Sequence, residues 1–456
     1  MTDGCRDFSR SQLLRAAAAR AGDGLPGIEP GMPTPAGTGL SRRSFVLRSA
    51  GLAMSVYGAS RLGLGAFEDG VARAATPSGQ RVLVSVFVPG GWDSLSVLAP
   101  VGDPKYTSYR PNLQLDGGTT TPFEEDTTLH WHPSASPLAT LHSEGKLTVV
   151  PAIGYDHPDQ SHFTSRHYWE VGALDPRAGN GWLGRYLDRT GDADNPLQGL
   201  SLDDHLSPAL ATASVPVAAV SNPGNYVLYV AGVDKPIAPP MLNAIGDLGA
   251  IPSGDATLRQ ARAVATRVDR LRTQIAPLGN GYGKPAYNSP VSYPSGDFSN
   301  RLAGLAALVA GNLPVRCVAL TAPGSYDTHA NQAATLANGL AQTCNALLAF
   351  QRDIEARGVG DRVLVNVWSE FGRRPRENGS GTDHGAAGSA FLMGTRVKGQ
   401  MIGEFPGLSV LDAQQNLRST SDFRALYCSL LEQWLETDAA DIIPGASGFA
   451  RPALLK

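Results

Sequence analysis

The chain has 456 residues, 42% hydrophobic and 17% charged, with a formal net charge of −3 at pH 7. That apolar fraction supports a substantial core, and the near balance of charge supplies no basic field to attract nucleic acid. No run of basic residues interleaved with aromatics occurs, so nucleic-acid binding is set aside.

Residues 1–40 are rich in Gly and Pro and lack hydrophobic periodicity, which predicts a disordered N-terminal extension. Met32 offers an alternative start. Residues 41–74 read as a twin-arginine signal peptide. Ser41-Arg42-Arg43-Ser44-Phe45 sets two arginines directly before an apolar stretch from Phe45 to Phe67, interrupted by Arg48 and Arg61, and Ala72-Arg73-Ala74 supplies a small-x-small cleavage pattern. A permanent membrane span would need about 20 uninterrupted apolar residues. Each arginine inside it would cost about 2.5–3.5 kcal/mol. The expectation is export of the folded chain by the twin-arginine translocase to the periplasm or beyond, with no permanent membrane span.

Residues 75–456 are then expected to form a single α/β domain. Cys317, Cys344 and Cys428 remain in it, without metal-finger spacing, and read as small buried apolar residues. Six short apolar runs read as strands: Arg81–Val88, Lys146–Ile153, Val215–Val220, Val315–Leu320, Val363–Trp368 and Ala390–Met393. Continuous rather than alternating apolar residues point to strands covered on both faces. Helical patterns at Asp255–Ile275, Phe298–Ala310, Gln332–Ala356 and Asp422–Leu435 alternate with them. The pattern predicts a mostly parallel, doubly wound α/β sheet with helices on both faces. Gly117–Leu129 and Leu278–Pro294 read as insertions.

Ligands of open α/β sheets bind beyond the carboxyl ends of the strands, so the polar residues placed there carry the functional argument. Asp93 follows the first run, Asp327 and His329 follow Val315–Leu320, and Glu370, Arg373, Asp383 and His384 follow Val363–Trp368. Carboxylates mixed with imidazoles suit a divalent metal, Zn²⁺ first, with Ca²⁺, Mg²⁺ or Mn²⁺ as alternatives. Arg373 is read either as a clamp on an anionic oxygen or as a surface ion pair. Ser161, at the start of a helical pattern, is either an N-cap or a nucleophile, and the residue types leave both open. His157, Asp159 and His162 crowd the same segment, whereas His167 is offset around the helix and is expected to bond elsewhere.

The segments Gly90-Gly91-Trp92-Asp93 with Tyr106, Arg110-Pro111 and Leu113, then Ser161-His162-Phe163 with Trp169 and Gly172, then Tyr326 to Gln332, and finally Ser369 to Arg373 through Gly381-Thr382-Asp383-His384-Gly385 resemble the domain of unknown function 1501 family. The resemblance runs from about Leu83 to the last helix, and many members look like twin-arginine substrates. That family is similar in turn to the alkaline phosphatase and sulfatase superfamily. The resemblance implies an alkaline-phosphatase-like fold and a metal-dependent hydrolase of anionic phosphate or sulfate esters. It implies Ser161 as nucleophile, Asp93 and Glu370 on one metal, and Asp327, His329 and His384 on another. Asp383 is implied as a ligand or as a residue behind the ligands. The alternative is an exported binding or assembly protein on the same fold, without catalysis.

Overall fold

The computed structural model describes residues 56–57, 80–226, 237–279 and 285–456. The predicted N-terminal extension and twin-arginine leader lie outside the described residues, apart from Val56–Tyr57. The predicted apolar runs become the strands of one nine-stranded sheet. In chain order these are β1 (Val56–Tyr57), β2 (Val82–Phe87) and, after the small-sheet strands β3 (Leu98–Ala99), β4 (Thr121–Phe123) and β5 (Asp126–Trp131), β6 (Leu147–Gly154), β7 (Gly199–Ser201), β8 (Val217–Ala219), β9 (Cys317–Thr321) and β10 (Val363–Trp368). A hairpin, β11 (Arg373–Glu377) and β12 (Thr382–His384), separates β10 from the last two, β13 (Gly388–Met393) and β14 (Ser421–Asp422).

The spatial order is β1-β8-β7-β9-β2-β10-β13-β6-β14. Strands β8 to β10 run parallel, β13 is antiparallel to both neighbours, and β6 and β14 therefore point the same way as the main block. The carboxyl ends of β9, β2, β10 and β6 share one edge of the sheet, as the doubly wound α/β reading requires.

Alternate residues of each strand enter two different apolar layers, which is why the runs are continuous in sequence. On one face, Val82, Val84 and Val86 pack with α3 (Ser136–Ser143), with Val268 and Leu271 of the long helix Ala256–Ile275, and with the helices Asp297–Ala310 and Gln332–Ala356. On the other, Leu83 and Phe87 pack with Trp169, Leu183 and Tyr427. Trp169 belongs to α4 (His162–Val171) and Leu183 to α5 (Trp182–Thr190). The helices before α3 are single turns, α1 (Ser94–Val97) and α2 (Tyr106–Tyr109). After α5 come α6 (Ala238–Gly249), α7 (Ala256–Ile275), α8 (Asp297–Ala310), α9 (Gln332–Ala356) and α10 (Phe423–Ser429).

Two expectations need revision, and one strand lies outside the predicted runs. Gly117–Leu129 does not form a plain insertion: it builds the β4–β5 hairpin, whose Phe123 and Leu129 enter the core. The last predicted helix stops at Ser429 and widens into a π turn at Leu430–Trp434. Strand β7 escapes the apolar-run criterion because it is only Gly-Leu-Ser. Of the stretch Leu278–Pro294, residues 280–284 lie outside the described residues. Cys317, Cys344 and Cys428 are buried free thiols. Among the described residues no helix is long and apolar enough to cross a membrane.

Candidate metal centre

Four strand-end segments meet at the carboxyl edge of the sheet. The loop after β9 carries Asp327 and His329, and it lies against the end of β2 because residue 90 is glycine. Gly90 has φ +107°, and a Cβ there would stand 2.4 Å from the Asp327 nitrogen. The same loop lies against the β11–β12 hairpin at Gly381, where a Cβ would come 2.3 Å from the His329 carbonyl carbon. That hairpin pairs Arg373 with His384. Helix α4 is fastened to the end of β10 by Ser165, whose hydroxyl donates to the Glu370 carbonyl at 2.5 Å, and so brings in His162.

The result is a convergence on one oxygen. Asp327 Oδ1 lies 3.0 Å from His329 Nε2, 3.1 Å from His384 Nε2 and 3.5 Å from His162 Nε2. The Nε2 atoms of His329 and His384 are 3.0 Å apart. His162, Asp327 and His384 together have the spacing of a possible metal site.

Each ring is oriented from behind through Nδ1. His162 Nδ1 lies 2.7 Å from Glu370 Oε1, His329 Nδ1 lies 3.2 Å from Asp383 Oδ1, and His384 Nδ1 lies 2.8 Å from the Gln160 carbonyl. These partners accept hydrogen bonds only, so a neutral ring places its proton on Nδ1 and turns its Nε2 lone pair toward Asp327. Lone pairs facing a carboxylate oxygen repel one another unless a proton or a cation lies between them. The donor set and its ring-orienting partners therefore fit a divalent ion.

The electrostatics follow from the crowding. Burial alone would raise the Asp327 pKa, but hydrogen bonds from the three imidazoles and the Arg373 charge hold it far below the usual carboxylate range. Burial works against a charged His162, yet the carboxylates of Asp327 and Glu370 outweigh it and lift its pKa to about 9. For His384, burial together with the neighbouring His162 and Arg373 charges prevails over Asp327 and lowers the pKa. Glu370 is buried, which disfavours its charge, but its bonds to His162 and Ser369 keep it lowered.

The other predicted residues take different places. Asp93 is fully buried, and its carboxylate is occupied: Arg110 engages both oxygens, one at 2.9 Å, while Ser96 and Gln332 donate to Oδ2 at 2.6 and 2.5 Å. Glu370 stands behind His162, with Oε1 also accepting from the Gly90 nitrogen at 2.9 Å and Oε2 from Ser369 at 2.8 Å. Arg373 is buried, so the surface ion pair does not occur. It donates to the carbonyls of Gly90, Gly91, Thr382 and Tyr326 and, at 2.5 Å, to Asp327 Oδ1. Ser161 is the N-cap of α4, its hydroxyl accepting from the Phe163 nitrogen at 3.3 Å. His167 bonds the Asp175 carbonyl, away from the cluster, as its helical offset predicted.

The structure also brings His162, a histidine that the sequence reading leaves outside its expected ligand set, to Asp327. Its signal was present: it opens a helix just beyond β6, on the same sheet edge as Asp327.

The fold and site define a mostly parallel α/β protein with a histidine–aspartate centre at the carboxyl edge of its sheet. Residues 270–433 match the model of the family described as Protein of unknown function (DUF1501). That match holds Asp327, His329, Glu370, Arg373, Asp383 and His384; Asp93, Ser161 and His162 precede it. No curated protein matches the chain. Among solved structures, the chain is similar to a protein in the alkaline phosphatase superfamily from Vibrio parahaemolyticus, at 10% identity, covering 91% of this chain and 73% of that one with a TM-score of 0.31. It is similar to the lipoteichoic acid synthase LtaP from Listeria monocytogenes, at 6% identity, 82% and 77% coverage and a TM-score of 0.34. It is also similar to the C-terminal periplasmic domain of EcEptC from Escherichia coli in complex with Zn, at 8% identity, 79% and 83% coverage and a TM-score of 0.32.

Proposed function

We propose that this chain is a metal-dependent hydrolase of anionic phosphate or sulfate esters, exported by the twin-arginine translocase and working outside the cytoplasm. The observation that carries the reading is the convergence of three Nε2 atoms on Asp327, with every Nδ1 tied to an acceptor. An ion-pair cluster serving stability alone has no need of three rings each oriented through Nδ1 by an acceptor. His162, Asp327 and His384 would hold the ion, with His329 beside them. The nitrogen-rich set favours Zn²⁺ over Ca²⁺ or Mg²⁺, which prefer oxygen ligands. A divalent ion bound there would supply Lewis acidity to an ester oxygen and to a neighbouring hydroxyl or water.

The protein's own groups prepare that centre. Arg373 keeps Asp327 ionised and aimed, and its donors are directed to four carbonyls and that carboxylate, which favours positioning over clamping substrate. Glu370 and Asp383 orient His162 and His329. The occupied carboxylate of Asp93 argues for one ion rather than two. Ser161 opens α4 beside His162, where backbone N–H groups favour an anion. In the covalent route its oxygen bonds to phosphorus or sulfur as the ester's alcohol leaves, and water then breaks that bond. The capping hydrogen bond of Ser161 supports the second reading, an exported binding or assembly protein that performs no catalysis.

Metal analysis of the purified chain beside Asp327→Ala and His384→Ala tests the proposal. About one divalent ion per chain in wild type, lost in both variants, supports it and directs a screen of phosphate and sulfate esters. Equal metal content in all three after metal-replete refolding removes it.

A further inference from the structure

Away from the histidine cluster, helices α6 and α7 form a hairpin with a second feature that the hydrolase reading does not use. A cavity of ≈ 340 Å³ lies between the turn that joins them, one face of α7 and the loop carrying Asp194. Arg259, Arg262, Arg267 and Arg270 line it, spaced so that one helical face presents all four.

Three of these arginines are held at the rim by backbone carbonyls. Arg259 donates from one terminal nitrogen to Ser253 and Gly254, Arg262 to Ile251 and Pro252, and Arg270 to Asp194. In each, the other terminal nitrogen makes no bond to these carbonyls. Arg267 is different. It is only 6% exposed, and its Nε is buried without a hydrogen-bond partner among the described residues. Asp194 reaches it by charge alone, without a hydrogen bond. Burying a guanidinium N–H without an acceptor is unfavourable, and arginine does not escape that cost by losing its proton. Four guanidinium groups lining one cavity against one exposed carboxylate call for an anion, and their planar forks match tetrahedral oxyanions.

We propose that this cavity binds a phosphate group, with Arg267 as its buried anchor and Arg259, Arg262 and Arg270 as its rim. The cavity is larger than phosphate alone needs, and Leu248, Ile251 and Leu258 stand exposed along the same hairpin. The phosphate is therefore either free or the headgroup of an anionic phospholipid whose apolar part meets those side chains.

The test uses the full chain as wild type, Arg267→Gln, Arg262→Gln and Asp327→Ala. Thermal melts with inorganic phosphate read the free anion, and flotation with phosphatidylglycerol or phosphatidylcholine vesicles reads the headgroup. Phosphate is expected to raise the melting temperature of wild type and of Asp327→Ala alike, with about tenfold or weaker apparent affinity in Arg267→Gln for loss of a charge-assisted contact. Retention on phosphatidylglycerol but not phosphatidylcholine, reduced by Arg267→Gln without a phosphate effect, assigns the lipid headgroup instead. Should Arg267→Gln not fold, Arg262→Gln carries the comparison through a smaller loss in the same direction. A phosphate shift that survives Arg267→Gln but vanishes in Asp327→Ala, or no response to either probe, overturns the proposal.

Discussion

Arg373 donates to Asp327 Oδ1 at 2.5 Å, and this is the oxygen that three imidazole nitrogens approach. The guanidinium is buried, so its loss would take a donor from the carbonyls of Gly90, Gly91 and Thr382 as well as freeing the carboxylate. Removing one partner of a buried, hydrogen-bonded ion pair costs about 3–5 kcal/mol. Arg373→Ala is therefore expected to lower unfolding free energy by that amount in urea titrations of the metal-free chain. A change below about 1 kcal/mol would place Arg373 among ordinary surface pairs and contradict its role.

Glu370 acts on the centre through His162. Its Oε1 meets Nδ1 at 2.7 Å, and the Gly90 nitrogen and Ser369 hydroxyl hold the carboxylate in place. Partners of this kind are worth about 10–100-fold in metal affinity. Glu370→Gln should weaken Zn²⁺ binding within that range and lower the His162 pKa, which ring-proton NMR of the metal-free chain reads directly. Unchanged affinity together with an unchanged pKa would show that the carboxylate only fills space.

The pH dependence has a definite direction. In the metal-free chain the His162 pKa is raised to about 9 by Asp327 and Glu370, against the opposing effect of burial. Its contribution to stability is therefore complete below the unfolded value near 6.5 and disappears as pH rises through about 9. The lowered pKa values of Asp327 and Glu370 act at the other end, stabilising above the ordinary carboxylate range and failing only in acid. A divalent ion must displace the His162 proton, so its binding releases protons and strengthens with pH. The gain in melting temperature from Zn²⁺ over chelator should grow steadily from pH 6.5 to 9. A gain independent of pH would mean that the ion does not displace the His162 proton.

These relationships were unequally legible in the sequence. The strands announced themselves because Val82 to Phe87 and Val363 to Trp368 are buried on both faces, leaving no polar alternation to obscure them. Position at the strand ends is enough to bring Asp327, His329 and His384 to one place, since the parallel sheet fixes which end of each strand lies at that edge. What position alone does not give is which way a side chain turns. Asp93 has the same strand-end placement, yet its carboxylate is taken by Arg110, a partner seventeen residues on that reaches it only through the fold. His162 presents a comparable difficulty. Ser161 before it reads from residue type as either a cap or a nucleophile, and nothing in the spacing shows that the next residue of the same turn meets Asp327. The burial of Arg373 likewise depends on carbonyls of three segments, the turn after β2, the loop after β9 and strand β12, and the spacing in the chain does not show that the first two meet it.

Ser161 separates the two functional readings most cleanly. As the N-cap of α4 it accepts from the Phe163 nitrogen, and its loss should cost about 1 kcal/mol of stability whatever else it does. That cost is too small to unfold a chain of this size, so Ser161→Ala can be assayed as a folded protein, its metal content measured beside wild type. If Ser161 forms the bond to phosphorus or sulfur, kcat on any cleaved ester should collapse in Ser161→Ala while metal content and KM stay near wild type. If water attacks directly, kcat should survive while Asp327→Ala still abolishes turnover, and the covalent route is then excluded although the metal centre stands. The comparison must be read beside the melting temperature of each variant, because a kcat loss that tracks unfolding at the assay temperature would report the cap and not the chemistry.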